Sequence, residues 1–409
     1  NSNSPTNGVI ATGQCLAEEH TFIRPEDTIF RTGFHDQNNL LQSINELPPE
    51  LLILILDAVL DDTAKVSYYQ EGHYLSTLKG LAMVCKTWKS TIQNTPGFWN
   101  VIESTVTRDE MHYMLRKAGK RPLIFRHFMT PYSDHDIDPG IGHNASDCFD
   151  IASSNMFRCS SLSSLLAMEC GQQAARMLES PAPILRDATV VASDCYFPEH
   201  IILFDGQAGM LEDLWLSRIP IRWDLGLPPK LRRLKVSYTN APTRWLPQPW
   251  QVVSALSSCS QIEFIDLSGK TMVREPLEWE LGVQESTVGL PRLKELKIEN
   301  MTIAGSAYIL SHLSTPPLRI LELTERLQVQ ADPITSLLCF PNRLLQETIR
   351  RALSRCEKVA LDLEHESVTL EIKGVEGSVY FLLRCPDPDE LTRWLAEEFV
   401  SELSSVPEL

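Results

Sequence analysis

One apolar spacing recurs through the second half of this chain and restricts its fold more than any other feature: three apolar residues at i, i+3 and i+5. It reads Leu211-Leu214-Leu216, Leu231-Leu234-Val236, Ile262-Ile265-Leu267, Leu293-Leu296-Ile298 and Leu318-Leu321-Leu323. The last two residues of each triplet lie two apart, so they share one face of a strand. The middle residues stand 20, 31, 31 and 25 residues apart, an uneven version of a period of roughly 20 to 29 with two insertions. One such unit cannot bury its apolar face alone, which predicts a stack in which each strand pairs with its neighbours over a shared core. Weaker copies read Leu162-Leu165-Ala167, Leu185-Ala188-Val190 and Cys356-Val359-Leu361.

Stacking in phase fixes what the opposite, concave face would carry. Trp215, Lys235, Asp266, Lys297 and Glu322 fall in one row, flanked by Asp213, Arg233, Phe264, Glu295 and Ile320 and by Ser217, Ser237, Ser268, Glu299 and Thr324. The central row alternates in sign. It reads either as lateral charge pairing, worth little per pair at a wet surface, or as a recognition surface with Trp215 and Phe264 as anchors. Trp215, Arg233, Lys235, Phe264 and Lys297 are the candidate partner-binding residues, and Arg232, Arg233 and Lys235 suggest a basic pocket for an acidic or phosphorylated partner.

The other strong signal is N-terminal. Pro48 and Pro49 suit the first turn of a helix, where a missing amide hydrogen costs nothing, and Glu50 follows near the positive end of its dipole. From Leu51 to Leu60 the segment is apolar nearly throughout apart from Asp57, more than one stripe requires, so it should bury two faces. A second helix is predicted from about Leu75 to Gln93, with Leu78, Leu81, Ala82, Val84, Cys85, Trp88 and Ile92 as an apolar band. Asn94-Thr95-Pro96-Gly97 ends it, and Phe98, Trp99, Val101 and Ile102 follow as anchors. Helices this short leave apolar surface for a partner.

These residues, Leu47-Pro48-x-Glu50-Leu51-Leu52, then Val84-Cys85-x-x-Trp88 and Pro96-x-x-Trp99, resemble the F-box, the helical module that docks substrate receptors on the adaptor of SCF-type ubiquitin ligases. The downstream triplets resemble degenerate leucine-rich repeats of the kind that follow an F-box in many fungal members. The likeness covers roughly Ile44 to Ile102, and the long polar stretch Asp61 to Tyr74 departs from it. It implies that Leu47, Pro48, Leu51, Leu52, Ile55, Val84 and Trp88 bind the adaptor or build the platform beside it. Through the adaptor the chain would reach the cullin, while the repeats hold a client protein. The same features also suit an interaction scaffold with no client turnover.

The expected organisation is a flexible segment over 1–40, the helical F-box over 41–105, a linker helix and first repeat over 106–160, repeats over 161–365 and a capping unit over 366–409. The fold class is thus α+β or α/β repeat, an irregular solenoid with a parallel sheet. Met111 to Phe125 reads as a helix leading into the first strand. Val368-Leu370-Ile372 and Val379-Phe381-Leu383 alternate around Gly374 to Gly377 as a hairpin. Asp387-Pro388-Asp389-Glu390 opens a final helix with Leu391, Trp394, Leu395, Phe399 and Leu403 on one face. The Trp-rich Tyr238 to Trp250 and the stretch Lys270 to Pro291 are candidate ligand loops or packing segments.

Composition narrows the functions. A net charge of −16 argues against nucleic acid as the main ligand, because phosphate binding needs a basic footprint. Ten cysteines without a C-x-x-C pair read as buried thiols of a reducing compartment, cytoplasmic or nuclear. No run approaches a membrane span, so no membrane partner is expected. Phosphate loops, nucleophile elbows and His-Glu-x-x-His are missing from the sequence, so the chain is read as non-enzymatic, with no cofactor. Asp134-His135-Asp136 with Asp138 and His143 lacks ligand spacing and reads as a solvated loop, and Cys148, Cys159 and Cys170, 11 residues apart, are not read as a zinc site.

Overall fold

A computed structural model of the chain describes residues 47–65, 74–127, 139–166, 170–193, 195–197, 200–269, 287–316, 318–326, 356–364, 367–374 and 377–384. The segment 1–40, the cluster Asp134 to Asp138, most of the Lys270 to Pro291 stretch and the final helix from Asp387 lie outside the described residues.

Among the described residues the first elements are three helices: α1 (Pro49–Lys65), α2 (Tyr74–Ala82) and α3 (Lys86–Asn94). Helix α1 runs on to Lys65, into the polar stretch that begins at Asp61. The single helix expected from Leu75 to Gln93 is two. Cys85 is extended (φ −162°, ψ 171°), and its Sγ accepts the Trp88 amide hydrogen, so it starts a new helix instead of continuing the old one. A 3-10 turn, Pro96–Trp99, then carries Phe98 and Trp99 into the core. Trp99 Nε1 donates to Ile92 O at 2.8 Å, its ring meets Tyr113 edge-on at 5.3 Å, and Tyr74 Oη donates to Phe98 O.

The chain leaves this turn directly as β1 (Val101–Glu103) and crosses through α4 (Arg108–Ala118) to β2 (Leu123–His127). A capping box between Thr107 and Glu110 starts α4. Glu110 also takes Lys79 of α2 at 2.9 Å, tying the helical unit to the crossover. Val101 and Ile102 therefore belong to the sheet, and the helices share one continuous core with it.

Among the described residues the sheet has twelve strands. After β2 come β3 (Cys159–Leu166), β4 (Asp187–Ala192), β5 (Asp213–Ser217), β6 (Arg233–Ser237), β7 (Phe264–Ser268), β9 (Glu295–Glu299), β11 (Ile320–Arg326) and then β14 (Gly377–Arg384), β13 (Ser367–Gly374) and β12 (Cys356–Glu364) at the edge. A separate short pair, β8 (Val288–Gly289) and β10 (Leu313–Ser314), lies outside it. Pairing is parallel from β1 to β14 and antiparallel beyond, and the sheet stays open. Helices α5 (Pro139–Asn155) and α6 (Gly171–Leu178) pack together, as do α7 (Pro249–Leu256) and α8 (Ile303–His312).

The five triplets stand in the register read from the sequence. Leu214, Leu234, Ile265, Leu296 and Leu321 are direct partners, all buried, and Leu216, Val236, Leu267, Ile298 and Leu323 form the second buried row. The Leu185 copy also fits, with Ala188 opposite Leu214. Two weak copies need correction. In β3 the inward residues are Leu162, Ser164 and Leu166, so the unit is Cys159-Leu162-Ser164, disguised by a serine at an apolar position. Cys356-Val359-Leu361 lies on the antiparallel edge strand, because only two residues separate Glu364 from its partner Ser367. The hairpin expected around Gly374 to Gly377 is present, and it joins the parallel sheet through β14.

A second polar residue sits in that buried row: His127 pairs in register with Ser164 and meets Phe149 at a tilt, ring centres 4.5 Å apart. Its Nδ1–H donates to Leu165 O at 2.8 Å, and burial pushes the imidazole down to about 4. The unfolded chain binds the proton that the folded one refuses, so stability is full above pH 6.5 and falls as the pH drops toward 4. At pH 5 the loss from this group should reach about 2 kcal/mol. Urea unfolding at pH 7 and 5 checks it against His127→Phe, which should flatten that part of the dependence.

Candidate functional site

Two surfaces stand out, one on α1 and one on the sheet. On α1, Leu52, Leu56 and Leu60 are buried, recurring every four residues toward the core. Leu51, Leu54, Ile55, Ala58 and Val59 are exposed, at the spacing i, i+3, i+4, i+7, i+8 of a second apolar face. Leu54 is 62% exposed and Leu51 47%, values that no solvent-facing stripe needs. The break between α2 and α3 adds Met83 and Val84, 49% and 42% exposed.

The residues read as adaptor-binding divide between these faces. Pro48, Leu51, Ile55 and Val84 are exposed, and Leu47 is half-buried. Leu52 and Trp88 are core: Leu52 is 1% exposed and Trp88 9%, so neither offers its side chain to a partner. An almost uniformly apolar run gives no phase, which is why sequence reading included Leu52 and passed over Leu54, Val59 and Met83. Pro48 O accepts from the amides of Leu51 and Leu52 and so starts the helix.

On the sheet, the five candidate partner-binding residues converge on the outer face of β5, β6, β7 and β9. Trp215, Lys235, Asp266, Lys297 and Glu322 are successive register partners. Lys235 Nζ lies 5.0 Å from the Trp215 ring centre and 3.1 Å from Asp266 Oδ2. Lys297 is paired with Glu322, which raises its pKa, while burial and the carboxylates of Asp266 and Glu322 raise that of Glu299. Arg233 stands 5.9 Å from the Phe264 ring and 3.9 Å from Asp213 Oδ1. The row extends beyond what the triplets reveal: Thr189, Ser163, Arg126 and Glu103 continue it to β1.

The basic pocket expected from Arg232, Arg233 and Lys235 is therefore not a free one. Arg232 meets Glu263 at 2.6 Å, Arg233 faces Asp213, and Lys235 holds Asp266. Because Asp266 is only 5% exposed, Lys235→Met should cost about 1–3 kcal/mol by stranding a buried carboxylate. A urea titration showing no loss would mean that Asp266 does not depend on the pair.

The remaining sequence candidates have structural roles. Trp245 is buried and contacts Phe197, and Trp250 packs on the core. Cys148 and Cys159 are buried, which pushes both thiols up to about 12. Among the described residues, no group of three or more His, Cys, Asp or Glu could hold a metal, and no helix is long and apolar enough to cross a membrane. No protein-family model matches the chain, and a search of curated proteins finds none similar to it.

Proposed function

We propose that the chain is a non-catalytic receptor subunit of an SCF-type ubiquitin ligase, with an F-box formed by α1 to α3 and a leucine-rich-repeat-like sheet that receives the client. The observation that carries this reading is the second apolar face of α1, Leu51, Leu54, Ile55, Ala58 and Val59, exposed on a helix whose first face already fills the core. A face of this kind suits the groove of a helical adaptor. The Leu-Pro start of α1 and the Val84 break supply the rest of the resemblance.

Proximity would be the mechanism. The shared core from Leu52 through Trp99 to Ile102 fixes the docking helices to the first strand, so a client on the sheet is held at a set distance from the adaptor. The chain itself would supply no nucleophile, acid or base. Partners are the adaptor, through it the cullin, and a client in the cytoplasm or nucleus. Purified adaptor, cullin and ubiquitin-charging enzymes test the reading with the chain's own lysines as acceptors. Modification that requires the chain to be bound supports a ligase subunit. Adaptor binding without any transfer would leave a scaffold instead.

A further inference from the structure

Asp266 on β7, Glu299 on β9 and Glu322 on β11 share the outer face of the sheet with two ammonium groups, those of Lys235 and Lys297. Lys235 takes Asp266 Oδ2 at 3.1 Å and Lys297 takes Glu322, which leaves Glu299 without an ion pair among the described residues. Its register partners, Ser268 and Thr324, bring no charge. Burial, and after it the charges of Asp266 and Glu322, hold the Glu299 carboxyl above its ordinary pKa. Asp266 is also incompletely matched. It is 5% exposed, its Oδ1 accepts no hydrogen bond among the described residues, and its charge acts on both Lys297 and Glu299 of β9. Beyond Glu322 the same row continues to Tyr380 of β14, its register partner, so an aromatic ring stands one strand from the cluster.

We propose that this carboxylate cluster binds an arginine side chain on an extended segment of the client. Three carboxylates against two ammonium groups leave one negative charge, which one guanidinium matches. Its N–H donors lie in a planar fork, so a single group can bridge Glu299 and a second carboxylate on a neighbouring strand, about 4.8 Å away. The uncompensated Oδ1 of Asp266 adds to the negative field at that point, and a flat cation suits the face of Tyr380. The chain already contains this arrangement at the other end of the row, where Lys235 stands 5.0 Å from the Trp215 ring centre and 3.1 Å from Asp266 Oδ2. A metal ion does not suit the cluster, because among the described residues no group of three or more His, Cys, Asp or Glu could hold one. The net charge of −16 favours the approach of a basic segment.

The proposal rests on the sheet as client receptor, but its test does not involve the adaptor. The full chain is presented with a peptide library holding a central arginine and with the same library holding either lysine or citrulline, the neutral isostere of arginine. Arginine peptides should be captured at least about tenfold better than citrulline peptides, with lysine between them. Glu299→Gln should remove that preference and leave the melting temperature unchanged or higher, because it relieves repulsion from Asp266 and Glu322. Ser268→Lys, which sets a cation of the chain's own beside Glu299, should remove the preference with Glu299 still in place. Equal capture of the arginine and citrulline libraries, or an undiminished preference in Glu299→Gln, overturns the proposal. Lysine captured as well as arginine overturns the assignment to a guanidinium, and a lower melting temperature of Glu299→Gln makes that carboxylate structural. Free arginine that raises the melting temperature while the libraries are captured equally also contradicts it, because the cluster then serves a small cation. Failure of adaptor binding with arginine preference intact would sink the ligase reading alone.

Discussion

Leu54→Asp with Ile55→Asp is expected to weaken adaptor binding by at least about a hundredfold while leaving the fold unchanged. Both side chains point away from the core, at 62% and 37% exposure, and their neighbours Leu52 and Leu56 are within 1% of complete burial. Buried apolar anchors at an interface are worth about 2 kcal/mol or more each, and each 1.4 kcal/mol is a factor of ten. Burying two carboxylates in the same contact adds a desolvation penalty. Leu56→Ala is the matching control: it should cost about 2–5 kcal/mol of stability by opening a core cavity, and leave the docking face in place. Isothermal titration with purified adaptor, together with urea unfolding of each variant, separates the two effects. Equal affinity of the Asp variant and the intact chain would remove α1 as the docking helix.

The second large effect is in the repeat region. Gly171 opens α6, and a methyl group there would lie 1.9 Å from Tyr196 O, 2.8 Å from the carbonyl carbon and 3.3 Å from Cys195 Sγ. Two of those atoms are backbone, so rotamer changes cannot relieve the contact. Gly171→Ala should therefore cost about 3 kcal/mol or more, at the upper end of overpacking. Gly80, where an added methyl meets no atom within 4 Å, is the reference: Gly80→Ala at this exposed position of α2 should be stabilising by about 0.5–1 kcal/mol. Urea midpoints of the two variants that moved in the same direction would contradict this packing.

The middle of the sheet was legible because its three repeat positions are all large aliphatics, and a period of two leaves only one phase that buries them. Its ends were not. In β2 and β3 the inward positions carry His127, Cys159 and Ser164, whose burial depends on contacts such as His127 with Phe149 that no local pattern reveals. The edge strand from Cys356 has an acceptable triplet, yet pairing direction is set by the two-residue link to Ser367. The charge ladder followed from register alone. The pairing that closes the expected basic pocket did not, because Glu263, which takes Arg232, lies one residue before its strand and was outside the rows considered. On α1 the sequence announced two apolar faces, and only the packing of α2 and α3 decided which leucines fill which face.

Hydrogen exchange of the full chain, with and without purified adaptor, tests the central claim most directly. Protection should appear over Leu51 to Val59 and around Met83 and Val84, with none on β5 to β9, if α1 docks the adaptor while the outer face of the sheet stays open for a client. Protection of the sheet with α1 unchanged, or no protection at saturating adaptor, would contradict it.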